Sequence, residues 1–321
     1  LANEIKKENI NCYILDENKQ SIIEILKSIR RINKNNMFDI THSHRYKENM
    51  LACVVKYDNP ECKMITTVHG INEYYNKNNT YYQSLKKKFN YIILSHKYDK
   101  VITVSEEIRI RLINEENMLN QKVYTIHNGI KIKEHQNDME NEMFTIGSAG
   151  RLVPVKDFTL MVKIASILIP KYENVYFKIA GDGPKKNEID KEIKKYNLKD
   201  RFILKGNIEC MDTFYKSINL YINTSIHEGI PITVLEAMAN CCPVIAPRIG
   251  GLGEIIDDGK DGFLLESRNP EEYAKKIEEI MNSNTYMREM GFEARKKIIN
   301  KFSEGQMSEN YYKLYQIVQK E

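Results

Sequence analysis

Short apolar runs alternate with longer amphipathic stretches along almost the whole chain. "MFDITHSH" (Met37–His44) and "CKMITTVHG" (Cys62–Gly70) read as buried strands ending in polar loops, and "DKVITVS" and "KVYTIHNG" repeat the pattern. Between them lie a Tyr/Lys-rich helical segment, Tyr81–Leu94, and a helix starting at Ser105. Glu106 and Glu107 fall in its first turn, where acidic side chains meet the positive end of the helix dipole. Ahead of these, "LANEIKKENINCYIL" reads as a helix end running into a short apolar strand, followed by helical spacing at Ile22, Ile23, Ile25, Leu26 and Ile29. Residues 131–142, "KIKEHQNDMENE", are polar and aperiodic, which marks a linker.

After the linker the alternation begins afresh. Strands are expected at Phe144–Ala149, Val175–Ala180, Arg201–Lys205, Leu220–Asn223 and Pro243–Pro247. Helices are expected at Phe158–Ile169, Lys186–Tyr196, Met211–Ser217 and Pro231–Asn240. Strands alternating with helices build βαβ units around a parallel sheet. The expected fold is therefore α/β, two doubly wound halves facing each other, with ligands at the C-terminal strand ends. A doubly wound domain opens with a strand and a tight glycine loop. This sequence starts in a helical pattern, so the first βα unit is expected to be missing from it.

Length agrees with two domains, since 321 residues are about twice an ordinary one. Mean hydropathy is -0.51, and no apolar run approaches the ~18–20 residues of a membrane span. The net charge of +4 sits entirely in residues 1–140, which hold 22 Lys+Arg against 18 Asp+Glu. That is too weak for nucleic acid, which asks for a concentrated basic stripe; it suits a solvated surface or mild attraction to an anionic membrane. Six cysteines without a CxxC pair, and no signal peptide, point to reduced thiols in a cytoplasm.

The chemistry concentrates in the second half. "AGRLVPVKD" places Arg151 and Lys156 after the first strand of that half, with Gly147 and Gly150 allowing close backbone approach. Two permanent cations at a strand's C-terminal end suit a diphosphate, and equally a solvated loop. "AGDGP" lacks the third glycine of a dinucleotide fingerprint and lies in the second βα unit, so it reads as a plain turn, against an NAD-dependent enzyme. In "HEGIPITVLEAMA", Pro231 suits the first helical position, and the free amides beside it form an anion seat. A carboxylate repels phosphate, so Glu228 and Glu236 suit sugar hydroxyls, or alternatively a cap and an exposed helical glutamate. His42 and His44 share one side of a strand, as a metal pair or as loop residues at a cleft. His227 lines the site or packs. Tyr74, Tyr75, Tyr81 and Tyr82 interleave with Lys86–Lys88, either as a surface helix or as one lying on a membrane interface.

Taken together, Glu228-x7-Glu236, "AGRLVPVKD", "AGDGP", "VIAPRIGGLGEII" and "DGFLLE" resemble the retaining glycosyltransferases of family 4, the group 1 transferases with the GT-B fold. "FDITHSH", "TVHG", "VSEEIRIRL" and "IHNGI" match that family's first domain in order, so the likeness covers almost the whole chain. It implies an acceptor-side Rossmann-like domain over 1–138, a nucleotide-sugar-binding one over 139–302, and a helix over 303–321 returning to the first. It also implies that Gly150, Arg151 and Lys156 hold the donor diphosphate, with the amides of Gly229, Ile230 and the residues after Pro231, from Ile232 on, beside the phosphates. Glu228 would grip the donor sugar and Glu236 the ribose, while Gly206, Asn207 and Ile208 lie beside the base. His69 matches the cleft histidine.

The catalytic set implied is Glu228, Arg151, Lys156 and His69, with no metal and no cofactor beyond the nucleotide-sugar co-substrate, UDP favoured over GDP. The acceptor would be a glycan or a lipid-linked sugar in bacterial surface polysaccharide or glycolipid synthesis. The protein would be cytoplasmic, a monomer or weak dimer, in peripheral contact with the inner membrane leaflet. The rivals are a GT-B epimerase or phosphorylase, the latter without a convincing pyridoxal-phosphate lysine here, and a non-catalytic nucleotide-sugar-binding subunit or fragment.

Overall fold

The computed structural model describes residues 10–70, 81–134 and 143–321. Their strands form two sheets, parallel throughout. The first is 4-stranded and runs in plain chain order: β1 (Ile40–Ser43), β2 (Lys63–Val68), β3 (Lys100–Thr103), β4 (Val123–Thr125). The second is 6-stranded: β5 (Phe144–Ala149), β6 (Val175–Ala180), β7 (Phe202–Gly206), β8 (Leu220–Ile222), β9 (Val244–Pro247) and β10 (Gly262–Leu265). Its spatial order is β10-β9-β8-β5-β6-β7, so chain order reverses between β5 and β8. At such a reversal the connections leave in opposite directions, and a crevice opens beyond the carboxyl ends of the two strands.

Every residue of β5 is buried, as befits a central parallel strand covered on both faces. Gly147 serves that core: a Cβ there would meet the Ile218 methyls at 2.6 Å, so this glycine makes room for packing rather than for a ligand. Helices Pro270–Met281 and Asn284–Lys301 pack with the second half. The last helix, Glu304–Lys320, lies on the first sheet, where Leu314 and Val318 join Ile65, Ile102 and Ile126 in one apolar cluster. Among the described residues no helix is long and apolar enough to cross a membrane.

Three sequence expectations differ from the structure. Residues 10–16 form no strand, and Ile10, Tyr13 and Ile14 are exposed; no described strand lies beside them to supply a ladder. A helix, Tyr46–Asp58, fills the stretch between the first two strands. Its buried face mixes Asn49 with Ala52 and Val55, which blurs the apolar period. Pro231, expected as the first helical residue, stands one place outside the helix Ile232–Ala239 with an extended ψ of 117°. Residues 1–9, Tyr74, Tyr75 and the 135–142 part of the linker lie outside the described residues.

Candidate active site

The crevice at the reversal is built from the loops that follow β5 and β8. Tyr221, fully buried in β8, bonds both backbone groups of Ala149 at the end of β5, its hydroxyl donating to the carbonyl at 3.1 Å and accepting from the amide at 3.2 Å. The β5 loop is then stitched to the β8 loop, Ile226 N–H donating to Val155 O (2.8 Å) and the Thr224 hydroxyl to Lys156 O (2.9 Å). Arg268 clamps the far side, one nitrogen donating to both Asp157 Oδ2 (2.5 Å) and Thr224 O (3.0 Å).

Glycines let a third loop close in. Gly181, at a φ of +133°, lies so near Gly150 that a Cβ would collide with the Gly150 carbonyl. Leu152 N–H donates to Asp182 O at 2.9 Å, and Lys185 N–H to Leu152 O at 3.0 Å. The "AGDGP" turn buttresses the loop that carries Arg151 and Lys156.

Within this frame Lys156 and Glu228 meet directly, Nζ to Oε1 at 2.5 Å, with side chains only 21% and 10% exposed. The same Oε1 accepts from the Ser225 hydroxyl (2.5 Å) and from Asn223 Nδ2 (3.4 Å). All these donors converge on one oxygen, and Oε2 has no partner among the described residues. The sequence signalled Glu228 but not the buried Asn223 and Ser225 that aim it; their only trace is that they precede it by five and three positions. Arg151 is exposed and has no polar partner among the described residues. The amides of Gly229, Ile230, Ile232 and Thr233 precede the first intrahelical bond, which Val234 N–H makes to Pro231 O, and all remain without an acceptor among those residues, at the positive end of the helix.

Glu236 sits farther along that helix, half-buried, accepting from the Tyr215 hydroxyl at 2.8 Å. Burial pushes its carboxyl above the ordinary range, against the Tyr215 hydrogen bond. Gly206 ends β7 and Asn207 and Ile208 follow it: Gly181 N–H donates to Gly206 O at 2.7 Å, Asn207 is exposed and Ile208 packs on the core. His227 turns a buried Nε2 that has no partner among the described residues.

The first half reaches the crevice at two places. A Cβ on Gly229 would stand 2.5 Å from His69 O, so the "TVHG" turn and the Glu228 loop touch through that glycine. Glu254 crosses the other way, accepting from the amides of Glu106 (2.9 Å) and Glu107 (3.1 Å) and pairing with His127 Nε2 (2.8 Å). Burial alone raises its carboxyl, but His127 and the two amides outweigh that and hold it below its ordinary value. His42, His44 and His69 form a column of rings, 4.5 Å and 5.4 Å between successive centroids. His42 stacks on His44, whereas His44 and His69 meet edge to edge, and among the described residues no three His, Cys, Asp or Glu side chains are placed to hold a metal ion.

Residues 130–297 match the family described as glycosyl transferases group 1, and residues 5–134 match glycosyltransferase family 4. The chain belongs to the group 1, family 4 glycosyltransferases. It is 32% identical over 234 residues to a poly(ribitol-phosphate) alpha-N-acetylglucosaminyltransferase of Staphylococcus aureus, covering 72% of this chain and 47% of that one, so it spans about half of that relative's length. It is 25% identical to the UDP-Gal:alpha-D-GlcNAc-diphosphoundecaprenol alpha-1,3-galactosyltransferase of Escherichia coli, over 88% of this chain and 77% of that one. Its fold superposes on Anabaena Alr3699/HepE in complex with UDP-glucose with a TM-score of 0.85, at 16% identity, over 98% of this chain and 88% of that one. This is the GT-B arrangement of two parallel-sheet α/β halves. In this family-4 chain the Glu228-x7-Glu236 pair therefore has Glu228 in the loop before the helix Ile232–Ala239 and Glu236 within it, beside the second sheet's crevice.

Proposed function

We propose that the protein is a retaining glycosyltransferase that moves a sugar from a nucleoside-diphosphate donor, UDP-linked in preference to GDP-linked, onto a glycan or lipid-linked acceptor. The observation that carries this is the crevice at the β5/β8 reversal. There Arg151, Lys156 and the free amides of Gly229, Ile230, Ile232 and Thr233 gather positive charge around a carboxylate with one open oxygen. Phosphate suits the amides and cations, while Glu228 Oε2 suits a hydroxyl of the donor sugar. Glu236 takes the ribose, and Gly206, Asn207 and Ile208 border the base. The preference for UDP draws on the E. coli relative, which uses UDP-Gal, and on the Anabaena neighbour, which holds UDP-glucose.

In the reaction, the acceptor oxygen attacks the anomeric carbon on the face the diphosphate leaves. The bond from that carbon to the phosphate oxygen breaks, and the acceptor's proton passes to the departing diphosphate. Lys156, Arg151 and the helix amides stabilise the charge that develops there, a preorganised electrostatic role that needs no metal. His69 faces donor and acceptor from the first half. The setting is the cytoplasm, with peripheral contact at the inner leaflet, the protein acting as a monomer or weak dimer. Relatives that build poly(ribitol-phosphate) glycosides or sugars on diphosphoundecaprenol support a surface-polymer acceptor.

Calorimetry with UDP, GDP and ADP tests the donor half of the proposal. One of them binds, and Glu236→Ala weakens that binding about tenfold or more, the effect of losing a charge-assisted hydrogen bond; a chain that binds none of the three is not a nucleotide-sugar enzyme. An epimerase would convert a donor sugar with no acceptor present. A non-catalytic subunit would bind the nucleotide yet transfer nothing in a screen of donors and acceptors read by mass spectrometry.

A further inference from the structure

We propose that His44 is a positioning residue for His69, fixing that ring's plane and tautomer, and that His42 anchors the pair to the C-terminal helix. The inference rests on the reading of His69 as a residue of the transfer site. His44 Nδ1 and His69 Nε2 stand 3.1 Å apart, a ring-to-ring hydrogen bond. A neutral imidazole has one donor and one acceptor nitrogen, so in this pair one ring must give the proton and the other take it. Whichever way the proton lies, it commits His69 Nε2, and with it the state of His69 Nδ1.

The column behind His44 keeps this geometry from relaxing. His42 stacks on His44 with an interplanar angle of 25°, and both of its own nitrogens are held, Nδ1 by the Tyr315 hydroxyl at 2.6 Å and Nε2 by the Thr67 hydroxyl at 2.8 Å. Thr67 is also bonded to the Tyr311 hydroxyl at 3.1 Å. Tyr311 and Tyr315 belong to Glu304–Lys320, so a helix at the far end of the chain reaches the His69 turn through the stacked rings of His42 and His44. The strand expectation that His42 and His44 share a side is met, and the shared side faces the "TVHG" turn.

Charge agrees with a neutral column. Burial first, then the neighbouring His44 and His69, push His42 down to about 4. Burial lowers His44, with Glu48 opposing, and lowers His69, with His44 and Arg45 adding to the effect. At neutral pH His44 and His69 can therefore share a proton instead of repelling as two cations.

The test is nitrogen-15 NMR of the full chain with labelled histidine, at neutral pH without ligand. The expected result is a single His69 tautomer, with a scalar coupling between its Nε2 and His44 Nδ1. His44→Phe keeps the stack, loses the coupling and lets His69 populate both tautomers; His44→Asn, which retains a polar atom in place of Nδ1, restores one. Tyr315→Phe, distant from the crevice, loosens the column with a smaller shift in the same signals, which keeps the test open if His44→Phe fails to fold. Mixed tautomers in the unaltered protein, or one unchanged tautomer in His44→Phe, overturns the proposal. UDP calorimetry on the same samples separates the two ideas: absent UDP binding with a locked His69 removes the transferase reading and leaves the positioning one standing.

Discussion

The two sheets are made of the same units and do different work. The second reverses chain order between β5 and β8 and so opens its own crevice, into which Lys156, Glu228 and a helix N-terminus project. The first runs β1 to β4 without a reversal among the described residues. It offers the crevice only what lies at the ends of neighbouring strands, a histidine column and the turn at His69. The difference teaches that the proposed phosphate seat is a property of one sheet's topology, whereas the partner sheet supplies groups that meet it only where the halves touch at Gly229 and Glu254.

Substitutions can break that contrast in a graded way. Lys156→Ala removes the cation at the reversal and strands a mostly buried carboxylate, so nucleoside-diphosphate affinity should fall about 100-fold. The histidine signals of the first half should not move. Gly181→Ala acts on the second half alone: the collision with the Gly150 carbonyl at a φ of +133° costs roughly 3 kcal/mol by denaturant unfolding, and a loss under about 0.5 kcal/mol would show that the buttress is dispensable. Gly229→Ala works at the contact, forcing a Cβ against His69 O at about 2 kcal/mol. Turnover should drop, and UDP affinity with it by up to about tenfold, since the displaced residue also carries an amide of the proposed phosphate seat.

Glu254→Gln has the smallest effect, about 1 kcal/mol at neutral pH, comparable to losing a helix cap. Its sign with pH is fixed. The folded carboxyl lies below its ordinary value of 4.5, so its stabilisation is complete above that value and disappears as pH falls through the lower one. Wild type and Glu254→Gln should therefore converge in melting temperature in acid, and a gap that persists there would mean the charge is not what holds the halves.

Much of the contrast was legible in the residues. β5 and β6 announce themselves as short, mostly apolar runs, and Phe144–Ala149 and Val175–Ala180 match the expected strands to the residue. The helix Tyr46–Asp58 between β1 and β2 was not, because Asn49 takes a core position that only its bonds to Ser43, Thr66 and Asn90 explain. At the crevice, the charges at Arg151, Lys156, Glu228 and Glu236 stood out by type and spacing. That Lys156 grips Glu228 in place of standing apart from it, and that Asn223 and Ser225 aim the carboxylate, depends on distances between β5 and β8 that no local pattern carries. The pairing of His44 with His69, 25 positions away, is hidden for the same reason.

The central claim is that the nucleotide's phosphates sit at the β5/β8 reversal, and amide-resolved NMR during a UDP titration tests it most directly. The account predicts that the amides of Gly150, Gly229, Ile232 and Thr233 shift first and furthest while those of β1 to β4 stay in place. Shifts centred on the ends of β1 and β2, with the Gly229–Thr233 amides unmoved, would contradict it.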